Sequence, residues 1–151
     1  MRRKRARHQG ESVMRVSIVP LVMMSGVLAS PVIAAPGDRC AALRPPNSAA
    51  QRRADAALVT RVGKQRVSAA QVGFVLAEGD WRLVWATPSD AERGVFFFHR
   101  AGRHGYRLVD TWGGVIAPDE RSDTIAWAQA RAGHPSRRLA VCFVDAVIDG
   151  K

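Results

Sequence analysis

Five basic side chains, His99, Arg100, Arg103, His104 and Arg107, fall within one short stretch that also holds Gly102 and Gly105. Guanidinium and imidazolium donors beside glycine N–H groups can hold a phosphate, a sulfate or a carboxylate. The same residues also suit a solvated hairpin tip, where charge only keeps the turn in water. Asp110 lies just downstream. Facing His99 or His104 across a hairpin, it would supply the imidazole and carboxylate that a small hydrolase or lyase needs for proton transfer. Asp110 equally suits a strand-end cap or a partner for Arg107 or Arg82. Asp145 suits a hydrogen-bonded carboxylate on an otherwise apolar face.

Trp81 and Trp85 alternate with Arg82 and Val84, which places both indoles on one side of a strand with Leu83. Left open, such a strip would take a sugar ring or a protein partner; covered, it is core. Other chemistry is sparse. The chain has no GxSxG, P-loop or GxGxxG pattern, and His99, His104 and His134 lack the HExxH spacing. Two cysteines alone cannot complete a zinc site, so no metal, cofactor or catalytic set is expected.

Those two cysteines, Cys40 and Cys142, matter for another reason. Residues 1–15 hold six Arg or Lys and one acidic residue, then run into the apolar stretch Val16 to Ala35, which ends in small residues. A positive start, an apolar run and a small-residue cut site make a signal peptide, predicted as residues 1–34 with Ala35 as the mature N-terminus. Met14-Arg15 opens a more ordinary leader, so Met1 and Met14 both stand as start codons. An uncleaved anchor is the competing reading, since about 20 apolar residues can span a bilayer. Pro20, Ser25, Gly26, Ser30 and Pro31 interrupt the run and favour cleavage, after which no stable membrane insertion is expected. In a periplasmic or secreted chain with only two cysteines, Cys40 and Cys142 are predicted to join.

Removing the leader takes six basic and one acidic residue from totals of 23 and 13, leaving 17 and 12. The mature charge is therefore about +5 rather than +10. That balance suits an envelope protein or an anionic polymer as partner. Nucleic acid is not expected, because no recognition motif accompanies the charge. The apolar fraction of 47% excludes a disordered chain, and the length of 151 residues allows one domain.

Local patterns supply the scaffold. Residues 35–47 read as an N-terminal arm, with Pro36, Gly37, Pro45, Pro46 and Asn47 and little regular structure beyond a turn at 41–43. Residues 48–151 form the domain. Ser48 and Gln51 cap a helix over Ala49 to Val62 that Gly63 closes. Strands follow through Val72, Phe74 and Leu76, then through Trp81 to Ala86, joined at Glu78-Gly79-Asp80. Ser89 with Glu92 predicts one helical turn. Val95 to His99 is apolar on both faces and so central, and a hairpin returns through Tyr106, Leu108 and Val109. Pro118-Asp119-Glu120 starts a second helix running to Arg131, stopped by Gly133 and Pro135. Leu139 to Ile148, rich in β-branched residues, is read as the last strand.

The fold expected is α+β, with the N-terminal helix and one later helix packed on an antiparallel sheet of about five strands. That order is compatible with a cystatin-like or NTF2-like layout, by analogy of arrangement alone. The functional expectation is an exported, small, non-enzymatic binding module of the cell envelope. Its runner-up is a hydrolase or lyase centred on His99, His104 and Asp110. A homodimer through the doubly apolar strands is a third arrangement.

Overall fold

A computed structural model describes residues 38–131 and 133–150. The leader at 1–34 and its cleavage point lie outside the described residues.

Helix α1 spans Ala49–Val62, and the Ser48 hydroxyl accepts from the Gln51 N–H at 3.0 Å, satisfying a donor the first turn leaves free. Its end is set by packing as much as by propensity. A Cβ on Gly63 would sit 2.7 Å from the Val59 carbonyl oxygen and 3.3 Å from the Phe96 ring, so only glycine lets the chain leave here.

Four strands follow, β1 Val72–Glu78, β2 Trp81–Ala86, β3 Gly94–Arg100 and β4 Tyr106–Gly113. They form an antiparallel meander in the order β1-β2-β3-β4. Gly79, at φ +55°, occupies the first central position of the two-residue β1–β2 turn, where glycine takes a left-handed backbone without a steric cost. A register shift between Val72 and Val75 marks a bulge in β1, and another lies between Phe97 and Phe98 opposite β4.

Helices cover both faces of the sheet. On one side Ala56 and Val59 of α1 pack with Val84, Phe96 and Phe98. On the other, α2 (Arg121–Gln129) and α3 (Arg137–Asp149) bury Ile125, Ala128, Leu139, Phe143 and Val144 against Leu76, Leu83, Val95 and Phe97. Aromatic rings meet edge-to-face here, Phe97 with Phe143 at 5.0 Å and Trp112 with Phe143 at 5.6 Å, as their quadrupoles favour. Strand β3 is central and its residues Val95 to Phe98 are buried, as its doubly apolar pattern requires.

The α+β class holds, with two corrections. The sheet has four strands, not about five, and the segment Leu139–Ile148 is helical. Ser136 caps that helix by accepting from the Leu139 N–H at 3.0 Å, and Gly150 leaves it in the left-handed region at φ +67°. Residues 139, 140, 143, 144 and 147 are buried while Arg137, Arg138, Ile148 and Asp149 are exposed, the 3.6-residue stripe of an amphipathic helix. Tertiary burial overrides the β preference of its valines. The layout compared with cystatin-like or NTF2-like sheets therefore loses its final strand. The helical turn read at Ser89 and Glu92 is also absent, because residues 87–93 form an irregular link held by the Ser89 N–H on the Arg66 carbonyl at 2.9 Å.

Cys40 and Cys142 form a disulfide, with Cα atoms 5.5 Å apart, closing a span of 102 residues. The arm is thereby docked. Cys40, at the start of a short 3-10 turn over Ala41–Leu43, and Leu43, its last residue, are buried in the α2/α3-side core. Among the described residues no helix is long and apolar enough to cross a membrane.

Candidate ligand groove

The residues singled out at the β3–β4 hairpin lie at its tip and on the two strands that flank it. Arg100 turns toward the neighbouring turn, with Nε 3.8 Å from Asp80, its guanidinium 4.7 Å from the Tyr106 ring centroid, and Nη2 donating to the Tyr106 hydroxyl at 3.2 Å. Arg103 and His104 sit exposed on a 3-10 turn, and Arg107 is exposed on β4 opposite His99. His99 is half-buried, its ring 4.8 Å from that of Trp81.

Asp110 has a different partner from either histidine. Arg131 donates to Asp110 Oδ2 at 2.8 Å while its guanidinium lies 4.6 Å from the Trp127 ring centroid, and the Thr111 N–H donates to Asp110 Oδ1. Stacked and hydrogen-bonded at once, Arg131 ties β4 to the end of α2.

Asp145, now on a helix, is also committed. Arg39 donates to Oδ2 at 2.6 Å and Arg121 to Oδ1 at 2.7 Å, joining the arm, α2 and α3 at one carboxylate. Burial opposes its ionisation, but the hydrogen bonds and charges of Arg121 and Arg39 outweigh that, so its pKa is lowered from the ordinary 3.8.

The tryptophan pair divides. Trp81 is 6% exposed and belongs to the core. Trp85 is half-buried with Phe74 edge-to-face at 4.7 Å, and both line a groove of 760 Å³ between the arm, the first turns of α1 and the N-terminal half of β1. Gly73, at the bulge, is exposed along it. Arg44 and Arg93, both exposed, and the half-buried Arg52 line it as well. Arg44 reaches Asp38 at 3.4 Å, Arg52 donates to the Asn47 side chain at 3.0 Å, and Arg93 lies 5.7 Å from the Trp85 ring centroid.

Electrostatically the groove is cationic. Its one carboxylate, Asp55, is 2% exposed and held by Arg82 from beneath, while Arg52 and Arg93 have no acidic partner among the described residues. A surface of that kind selects anionic groups over cationic ones. Residues from five separated stretches of the chain build it, so local pattern carries little sign of it. The available signals were Arg44-Pro45-Pro46, a glycine inside β1, and Trp85 on the same face as Phe74.

No protein-family model, no curated protein and no solved structure matches the chain.

Proposed function

We propose that the chain is an exported, non-enzymatic binding module of the cell envelope, periplasmic or secreted, and that its working surface is the groove beside β1. The observation that carries this reading is the pairing of a 760 Å³ open groove with two guanidinium groups, Arg52 and Arg93, that lack acidic partners among the described residues. Concave surfaces with a few convergent polar groups are the usual places for ligands. The hairpin residues support an enzyme less well, because Asp110 spends its carboxylate on Arg131. The disulfide is weak support for export, since such bonds persist in oxidising compartments.

Capture from envelope extract at low and high salt tests the surface. Salt-sensitive capture that is lost in Arg52→Glu, Arg93→Glu but kept in Arg100→Ala, Arg103→Ala supports the groove. Unchanged capture in the first variant, or loss in the second, overturns it. Mass spectrometry of the natural polypeptide tests export: a product lacking residues 1–34 and two hydrogens is expected, and a full-length dithiol would refute it.

A further inference from the structure

We infer that the groove takes an extended, carboxylate-bearing peptide segment, which adds to the free edge of β1 as a fifth strand. This inference rests on the groove being the working surface. Strand β1 is an edge of the sheet, so the N–H and C=O groups on its outer side have no strand partner among the described residues. The groove follows its first residues, from Val72 to Val75. The arm that lines the groove contributes Pro45 and Pro46, which have no N–H to donate to β1 carbonyls and so cannot complete a two-way ladder with it. The bulge between Val72 and Val75 breaks the flat edge that would invite indiscriminate self-pairing, while leaving a short length for a chosen segment. Backbone pairing would give affinity, and side-chain contacts would give selection.

Charge sets the class of segment. Arg52 and Arg93 flank the edge, one from α1 and one from the link before β3, so an entering strand with Asp or Glu side chains meets a guanidinium on each flank. A bare sugar fits less well. Stacking on a pyranose needs an open indole face, whereas Trp85 has the Arg93 guanidinium over its ring and the Phe74 ring packed at 76°.

The test selects binders for the oxidised chain from displayed random decapeptides and follows amide exchange of the labelled protein with the best of them. Acidic sequences should be enriched, and Arg52→Glu, Arg93→Glu should weaken them at least tenfold with the melting temperature unchanged. Arg93→Glu alone, at an exposed position, should weaken them by several-fold. Replacing the peptide carboxylates by lysine should restore binding to the charge-reversed protein. Amides on the outer edge of β1 should slow at least tenfold, and N-methylation of alternate peptide residues should abolish binding in one register only. Enrichment of neutral or basic peptides, or slowing along β4 instead of β1, would overturn the inference. So would an anionic polysaccharide that binds with the same arginine dependence and slows no β1 amide; the groove would then stand as the working surface and the peptide would not. Indifference of every binder to Arg52 and Arg93 would remove both.

Discussion

Arg82 of β2 grips Asp55 of α1 through two parallel hydrogen bonds, Nε to Oδ1 at 2.5 Å and Nη2 to Oδ2 at 2.9 Å. Gln51 adds a third donor to the same carboxylate at 3.3 Å. With side-chain exposures of 2% for Asp55 and 13% for Arg82, the pair is shielded and its geometry fixes α1 over the sheet. It also commits the one carboxylate that lines the groove among the described residues.

Breaking that pair from one side should be costly. Asp55→Ala strands a largely shielded guanidinium and Arg82→Ala a buried carboxylate, and the second is expected to lower unfolding free energy by about 3–5 kcal/mol, the first by less. Replacing both, as Asp55→Leu with Arg82→Met, should recover most of the loss, because no unpaired charge remains. Urea denaturation of the three variants reads this directly; additive losses would contradict it.

The crosslink between Cys40 and Cys142 encloses a long loop, for which chain entropy predicts about 4–5 kcal/mol of stabilisation from restricting the unfolded chain. Cys40→Ser with Cys142→Ser should fall by up to that amount in urea melts. The drop should be matched by wild-type protein under reducing conditions and absent when the double variant is reduced.

Acid should act through Asp145. Its pKa is lowered in the folded chain, so its contribution is fully present above the unfolded carboxylate value and is lost as pH falls through the folded one. The stability difference between wild type and Asp145→Asn is expected to be level above about pH 5 and to shrink steadily in stronger acid. A gap that widens on acidification would reverse the assignment. With a side-chain exposure of 23% and arginines open to solvent, the gap should also narrow in high salt.

Ser136 does two jobs at the start of α3. It caps the helix, and its hydroxyl donates to Glu78 at the end of β1. Ser136→Ala should cost about 1–2 kcal/mol, measured by thermal or urea unfolding, and Ser136→Asp should keep the cap but repel Glu78.

Much of the scaffold was legible because single residues dictate it. Ser48 and Gln51 open α1, Gly63 ends it, Gly79 makes the first hairpin, and the unbroken run Val95–Phe98 can only be an interior strand. The segment Leu139–Ile148 misled for a physical reason. Its valines favour strands and its apolar residues alternate well enough to mimic one, yet Ser136 and the 139, 140, 143, 144, 147 spacing already fitted a capped helix. The site was less legible still. Gly73, Trp85 and Arg93 meet through strand pairing, Arg52 through α1 and Arg44 through the arm, and no single local pattern encodes that convergence. Local pattern instead highlighted the basic hairpin, where charged residues are neighbours in sequence and Arg100 is engaged with Asp80 and Tyr106.

The crosslink has one more consequence. Because it joins Cys40, ahead of α1, to Cys142 within α3, every peptide bond of the sheet and of α1 and α2 lies inside a covalent ring. A protease that nicks the β2–β3 link or the β3–β4 hairpin would release no fragment, and both pieces would stay held by the sulfur bridge and the shared core. Damage of that sort would be invisible on a non-reducing gel and would surface only once a thiol reagent opened the ring.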